Sequence, residues 1–305
     1  MIIIKIFDTH CDTVYELEKN KVDFLNDITH ISKEQIGSFD VYEQVFAIWS
    51  NPKRTEEECW EHFNTVKEYF DKKIACCKSE KFIPHLAVEG GALLAGKLDR
   101  LDILKSYNVK MMTLVWKDEC CMGGAHNTNI GFTNFGIRAL HKIFDLNIIP
   151  DISHASDKMA YQTFEFALDN NKPVIASHSD SRKIRNHTRN LTDDMFMQIK
   201  SVKGIVGLNF CCEHLEDTDI KNADITSIIR HLEHYLELGG ENTVCLGCDF
   251  DGIESLPNGI TGVISLHSLY EELKKINYAD TLIENIFYNN AHSFFERCGL
   301  YGNTL

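Results

Sequence analysis

Short apolar runs rich in β-branched residues recur along the chain and alternate with stretches whose apolar positions are three or four residues apart. Several runs lack the two-residue alternation of a strand with one solvated face, which indicates strands buried on both faces of a parallel sheet. Eight strands are predicted, at Ile2–Phe7, Val41–Ala47, Phe82–Val88, Lys110–Val115, Ile148–Ile152, Pro173–Ala176, Gly204–Asn209 and Thr243–Gly247.

The stretches between these runs have helical periodicity and recognisable start signals. Thr55 and Glu58 have the spacing of a capping box, in which each side chain accepts a backbone N–H of the other residue. Ser156 and Thr192 are further N-cap candidates, because both stand immediately before a helical pattern. Two more helices are predicted at Ile225–Leu238 and Asp280–Cys298.

Strands that alternate with helices indicate right-handed βαβ units and an α/β fold. Eight such units favour a closed (β/α)₈ TIM-type barrel, and 305 residues is a realistic length for one barrel domain. We therefore expect residues 1–305 to form a single barrel. An open doubly wound sheet is the alternative, but no Gly-rich phosphate-binding loop follows the first strand.

Charge and hydropathy limit the partners. The chain has 31 Lys and Arg against 45 Asp and Glu, a formal net charge of −14. Such an acidic surface repels phosphate backbones, so nucleic acid is not an expected partner. No apolar run approaches the roughly 18–20 residues that a membrane span needs. The first residues also lack the charged start, apolar centre and cleavage site of a signal peptide.

The cysteines indicate a reducing compartment. There are 11 of them, an odd number, and six lie in adjacent pairs, which is not the pattern of a disulfide framework. We therefore predict a cytoplasmic protein with free thiols. Cys245 and Cys248 form a single CxxC motif, but with no second CxxC a structural zinc or redox role is not favoured.

Polar residues collect where five of the predicted strands end, which is where barrel enzymes carry their chemistry. A two-residue period places Asp8, His10 and Asp12 on one face at the end of the first strand. The remaining four ends supply Glu89, His154, His178 and Asp249. In a closed barrel these groups converge on one mouth.

Imidazole and carboxylate groups together suit Zn²⁺ and also Mn²⁺, Fe²⁺ or Co²⁺. Six such groups are too many for one tetrahedral catalytic ion with an open position; they are His10, Asp12, Glu89, His154, His178 and Asp249. They suit two ions about 3.5–4 Å apart, bridged by a carboxylate and a hydroxide. Asp151 and Asp251 flank the set and are interpreted as orienting backbone or ligand groups.

A basic segment, from Ser181 to Asn190, directly follows the sixth strand in this acidic chain. An Arg beside a metal site is suited to two-pronged binding of a substrate carboxylate. The alternative is a solvated loop without a binding role.

These residues resemble the membrane dipeptidase (renal dipeptidase) family of the amidohydrolase-like metal-dependent barrels. The resemblance rests on FDTHCD, LAVEGG, DISHAS, ASHS, the RNLTDD run from Arg189, and GCDFDG, in matching order and spacing. It implies a dipeptidase, often tolerant of a C-terminal D-residue and usually a homodimer. It also implies two Zn²⁺ per chain, with Mn²⁺, Co²⁺ or Fe²⁺ as alternatives.

By position, the resemblance implies that His10 and Asp12 hold one zinc and that His154 and His178 hold the other, with Glu89 bridging. Asp249 would handle the proton of the bridging hydroxide, and Arg189 would bind the dipeptide's C-terminal carboxylate. Trp116 aligns with a substrate-binding position that is His in animal members.

The chain departs from the family at two places. Two Asn that often follow the bacterial Trp are missing after Trp116, and His126 in the next loop is a candidate substitute. The last helix has Asn290-Ala291-His292-Ser293 where the family has Asn-x-x-Arg, a change that looks structural. Another amidohydrolase-type enzyme, such as an N-acyl amino acid hydrolase or a lactonase, stays an alternative. So does a barrel that binds a small ligand without catalysis.

Overall fold

Eight parallel strands close into one barrel in the computed structural model, which describes residues 4–26, 28–216 and 220–301. The strands pair in sequence order, and β1 closes the barrel by pairing with β8 through Asp8 and Leu246. Their bounds are β1 Lys5–Cys11, β2 Val41–Trp49, β3 Phe82–Glu89, β4 Val109–Thr113, β5 Ile149–Asp151, β6 Ile175–Ala176, β7 Ile205–Leu208 and β8 Val244–Leu246. The predicted barrel is confirmed; Ile2 and Ile3, which begin the first predicted strand, lie outside the described residues.

Helices follow the strands and pack around the barrel. Their bounds are α1 Thr13–Asn20, α2 Lys33–Ile36, α3 Glu56–Lys73, α4 Asp99–Ser106, α5 Asn134–Asp145, α6 Asp157–Asn170, α7 Asp193–Ser201, α8 Cys212–Leu215, α9 Ile225–Glu237, α10 Leu266–Lys275, α11 Asp280–Glu284 and α12 Asn290–Arg297. The capping box of Thr55 and Glu58 opens α3, and the hydroxyls of Ser156 and Thr192 cap α6 and α7 as predicted. Among the described helices, none combines the length and the apolar character needed to cross a bilayer.

The barrel interior is filled by one apolar side chain from each strand. This layer contains Phe7, Val45, Ala87, Met111, Ile149, Ile175, Ile205 and Cys245. Phe294 and Phe295 of α12 pack against the same layer, so the last helix closes the N-terminal end of the barrel. Cys248, in contrast, lies in the core between barrel and helices, and the two cysteines of the CxxC motif therefore face opposite ways.

A buried carboxylate joins the C-terminal segment to this end of the barrel. Glu43 on β2 is fully buried and accepts hydrogen bonds from Tyr288 Oη and Tyr301 Oη, both at 2.7 Å. Its oxygens also lie 3.0 Å from His85 Nε2 and 2.9 Å from His292 Nδ1. Burial alone would raise the pKa of Glu43, but the hydrogen bonds from His85 and the tyrosines lower it overall. His292, which precedes the departure from the family pattern at Ser293, thus contacts a structural anion.

A tight layer above the interior side chains marks the start of the polar mouth. A Cβ on Gly247 would lie 1.9 Å from the carbonyl oxygen of Ser177, so only glycine fits there. Thr9 Oγ1 donates to the carbonyl oxygens of Ser177 and Leu246 in the same layer.

Candidate functional site

The predicted site residues lie together at the C-terminal mouth, around a cavity of about 550 Å³. His10 lies on β1 and Glu89 is the last residue of β3. Asp12 follows the end of β1. Further along the chain, the ends of β5, β6 and β8 are followed by His154, His178 and Asp249. The volume falls in the range of small-molecule sites.

Glu89 is the centre of the cluster. Its Oε1 lies 3.0 Å from His154 Nε2, 3.5 Å from His178 Nε2 and 3.8 Å from His10 Nε2. A second group adjoins it through His10, whose Nε2 lies 3.4 Å from Asp12 Oδ2 and 3.7 Å from Asp249 Oδ1. Within each of the triads His10–Glu89–His178 and His10–Asp12–Asp249, the ligand atoms lie within 4.8 Å of one another.

The chemistry of this cluster fits divalent cations. His10 Nε2 and Asp12 Oδ1 are buried and have no hydrogen-bond partner among the described residues, which is costly unless another group satisfies them. Although burial opposes it, Glu89, Asp12 and Asp249 raise the pKa of His10 to about 10. The same concentration of negative charge favours a bound cation, and imidazole with carboxylate is the donor set of zinc.

Neighbouring groups fix the orientation of His178. Its Nδ1 lies 2.7 Å from Ser177 Oγ, which donates to Asp151 Oδ2 at 2.5 Å. Asp151 Oδ1 accepts the backbone N–H groups of Ser153 and Ser177. This chain holds Nε2 of His178 toward Glu89, in the manner of residues that orient metal-binding histidines.

Asp249 is held in a strained position next to Asp12. Its φ is 61°, in the left-handed region that non-glycine residues seldom adopt. Asn209 Nδ2 donates to Asp249 Oδ2 at 3.1 Å, and burial raises the pKa of Asp249 to about 6. A Cβ on Gly252 would approach Asp249 Oδ1 to 2.4 Å and Asp12 Oδ2 to 2.3 Å, so glycine is needed for these carboxylates to share one space.

Arg189 lines the cavity from the loop that follows β6. It is 3% exposed; Nη1 donates to Ser179 Oγ and Nη2 to the carbonyl oxygen of His178, both at 2.8 Å. Its Nε is buried and has no partner among the described residues. Arg182 in the same loop is bound instead by Asp157, with two bonds of 2.7 Å. Arg189 therefore has hydrogen-bonding capacity left for a ligand.

Trp116 lies beside the cluster. A Cβ on Gly90, next to Glu89, would be 3.2 Å from Trp116 Cβ, so the small residue lets the indole approach. The Trp116 ring is 5.9 Å from the His154 ring and 4.8 Å from the Trp49 ring. His126 is nearby: its backbone N–H donates to the carbonyl oxygen of His154 at 2.7 Å, and its ring is 6.1 Å from that of His154.

Sequence reasoning missed several residues of the cavity. Trp49, Tyr15 and His214 line it, and Asn209 positions Asp249. Asn209 ends a predicted strand and had the same signal as the other strand-end groups. Tyr15 and His214 lie on helices after β1 and β7, where their sequence pattern does not differ from that of packing residues.

Comparison with known proteins agrees with this architecture. Residues 53–304 match the family described as membrane dipeptidase, peptidase family M19. The chain is 28% identical over 225 residues to an uncharacterized Klebsiella pneumoniae protein of the pqqA 5' region, covering 70% of this chain and 82% of that protein. It is 27% identical over 234 residues to mouse Dipeptidase 3, covering 74% of this chain but only 45% of the mouse protein.

The fold matches that of a metallopeptidase from Rhodobacter sphaeroides, solved with a phosphinate mimic of the dipeptide L-Ala-D-Ala. The TM-score is 0.86 at 22% identity, over 97% of this chain and 100% of that one.

Proposed function

The chain belongs to the membrane dipeptidase family of metallopeptidases, and from that membership we propose that it hydrolyses the peptide bond of free dipeptides with two divalent cations at the barrel mouth. Zinc is the first candidate, with Mn²⁺, Co²⁺ or Fe²⁺ as alternatives, because the donors are imidazoles and carboxylates. The observation that carries the proposal is the convergence of three histidines and three carboxylates on Glu89 and His10.

His10 and Asp12 would hold one cation, His154 and His178 the other, and Glu89 would contact both. When bound, such ions lower the pKa of a bound water and polarise the substrate carbonyl. The chain's own residues supply orientation: Asp151 and Ser177 hold His178, and Asn209 holds Asp249.

Asp249 is proposed as the proton-transfer residue. Its carboxylate would accept a proton from the attacking water and deliver it to the leaving amine. Burial supports this role, because it raises the pKa of the Asp249 carboxyl and so favours its accepting a proton.

Arg189 is proposed to bind the C-terminal carboxylate through its unpartnered Nε and remaining Nη hydrogens. Trp116 would pack against the substrate beside the cluster. A relative liganded with an L-Ala-D-Ala mimic supports dipeptides as substrates, including those with a C-terminal D-residue.

We also propose that the protein is a cytoplasmic homodimer. All 11 cysteines are free thiols, as a reducing compartment requires. Light scattering during size-exclusion chromatography would show a mass twice that of the 34.9 kDa chain; a single-chain mass at micromolar concentration would refute the dimer.

A substrate panel tests the function. Zinc-loaded protein is assayed with L,L- and L,D-dipeptides, their C-terminal amides, N-acetyl amino acids and lactones. We expect dipeptides to be hydrolysed and both blocked forms to be poor substrates. Turnover of N-acetyl amino acids or lactones in place of dipeptides would identify the alternative hydrolase, and failure of every substrate would favour a non-catalytic binding barrel.

A further inference from the structure

Three histidines outside the candidate metal cluster line one wall of the cavity, next to Arg189. His126 lies in the connection after β4, His187 in the loop after β6, and His214 on α8. Their rings are neighbours, with centroids 5.8 Å apart for His126 and His187 and 5.0 Å apart for His187 and His214. We refer to His126, His187 and His214 as the imidazole row.

Hydrogen bonding leaves ring nitrogens of this row without a protein partner among the described residues. His187 Nδ1 accepts the backbone N–H of Arg189 at 3.1 Å, so in the neutral ring the hydrogen is on Nε2. His126 Nδ1 is paired with Thr188 Oγ1 at 3.0 Å. With the described residues, Nε2 of His126 and of His187 and both ring nitrogens of His214 make no hydrogen bond.

Positive charge from Arg189 reaches all three rings of the row. Burial is the largest cause that lowers the pKa values of His126, His187 and His214, and the guanidinium of Arg189 lowers all three further. Lys117 and Arg189 line the cavity, as do Glu213 beside His214 and the carboxylates of the candidate metal cluster. Neutral imidazole donors beside a guanidinium favour an anion over a cation or an apolar group.

The position of the row relative to Arg189 determines which part of a substrate would meet it. In the proposed function Arg189 binds the α-carboxylate of the C-terminal residue. The side chain of that residue branches from the same carbon, so it must lie close to the guanidinium. His187 accepts a hydrogen bond from the Arg189 backbone, and the ring of His214 lies next to the ring of His187. The two rings are therefore near the place where that side chain would lie.

Resting on that proposed function, we infer that the imidazole row selects dipeptides whose C-terminal residue has an acidic side chain, aspartate or glutamate. The Nε2–H of His187 and a ring nitrogen of His214 donate to the side-chain carboxylate, while Arg189 holds the α-carboxylate. Hydrogen bonds to a charged acceptor are about twice as strong as neutral ones, so an amide side chain of the same shape binds more weakly.

The test compares isosteric substrates. L-Ala-L-Asp, L-Ala-L-Asn and L-Ala-L-Ala, together with their L,D forms, are assayed for kcat/KM. We expect the Asp dipeptide to exceed the Asn dipeptide by about tenfold or more in at least one stereochemical series. This ratio should fall toward one in His187→Asn and in His214→Asn. His141→Asn on the exposed side of α5 is the matched control and should keep the wild-type ratio.

Two results would overturn the inference while leaving the dipeptidase proposal intact: equal kcat/KM for the Asp and Asn dipeptides, or an Asp preference that survives in both row variants. An equal loss on all three substrates in His187→Asn would mean that the ring only supports Arg189. His214→Asn, whose ring has no hydrogen bond within the described residues, then decides the matter.

A binding measurement separates this inference from the function itself. The same dipeptides are titrated calorimetrically into the zinc-loaded Asp249→Asn variant. Tighter binding of L-Ala-L-Asp or L-Ala-D-Asp, lost on adding His214→Asn, supports the row even if no dipeptide is turned over. Equal dissociation constants for the Asp and Asn forms refute it.

Discussion

Arg189→Ala combined with amidation of the substrate is the sharpest test of how a dipeptide would be recognised. The guanidinium is 3% exposed, so a carboxylate paired with it is partly removed from water. At an effective dielectric constant of about 20, two unit charges 4 Å apart interact by about 4 kcal/mol, and desolvation reduces that figure. We expect the change to cost about 2–4 kcal/mol in kcat/KM, roughly 30- to 900-fold.

The single variant overstates this contribution. Arg189 also donates to the carbonyl oxygen of His178 and to Ser179 Oγ, and their loss disturbs a candidate metal ligand. The double cycle removes this part, because the same disturbance is present with either substrate. Amidation should therefore lower kcat/KM of the wild-type enzyme by the equivalent of about 2–4 kcal/mol. In Arg189→Ala, amidation of the substrate should lower kcat/KM almost no further.

Arg189→Lys refines the result. Lysine keeps the charge but lacks the planar fork, so its loss in kcat/KM should be smaller than that of alanine. Arg138→Ala, on the exposed face of α5, is a control that should behave as wild type with both substrates. If the losses from amidation and from Arg189→Ala simply add, Arg189 does not bind the carboxylate. Arg182 and Arg185 would be examined next.

Three further predictions concern the metals, the proton and the barrel end. Purified protein should contain close to two equivalents of divalent metal by elemental analysis, chelation should abolish hydrolysis, and Zn²⁺, Mn²⁺ or Co²⁺ should restore it; full activity with one tightly bound ion would rule out the dinuclear site. Asp249→Asn should lower kcat by roughly 10²–10⁴-fold with metal retained, whereas Asp251→Asn, whose carboxylate bonds Thr13 and the His30 backbone, should not. Glu43→Gln should reduce the free energy of unfolding by about 2–4 kcal/mol at pH 7 in a urea titration. Because the folded pKa of Glu43 lies below its ordinary value of 4.5, the wild-type advantage is complete above pH 4.5 and decreases as the pH falls further; an advantage independent of pH would contradict this.

Hydrophobic pattern predicted the barrel because each strand is buried on both faces. The strand ends were less predictable. β1 continues to Cys11, because its polar residues still pair with β2 through a bulge after Asp8. The pattern of apolar residues does not show strand pairing that polar residues make. β6 covers only Ile175–Ala176. The apolar residues before it are buried but do not pair with β5 or β7.

Residues at strand ends were predictable because topology alone brings them to one mouth. The imidazole row was not, since His187 and His214 reach the cavity from a loop and a short helix whose paths depend on packing. Glu43 was also missed: its charge lies within an apolar strand, and its partners come from His85 on β3 and from the C-terminal segment that supplies Tyr288 and His292.

The interior layer takes residues from both ends of the chain, from Phe7 to Leu300, and this constrains the order of events during synthesis. At ribosomal rates of about 5–20 residues per second, a 305-residue chain takes roughly 15–60 s to emerge. During that time β1 has no β8 to pair with, and α12 has not yet closed the N-terminal end of the barrel. Nascent chains therefore expose an open strand edge for most of translation, and an open edge favours aggregation. Premature termination upstream of α12 leaves the N-terminal end of the barrel without Phe294 and Phe295, which pack against the interior layer.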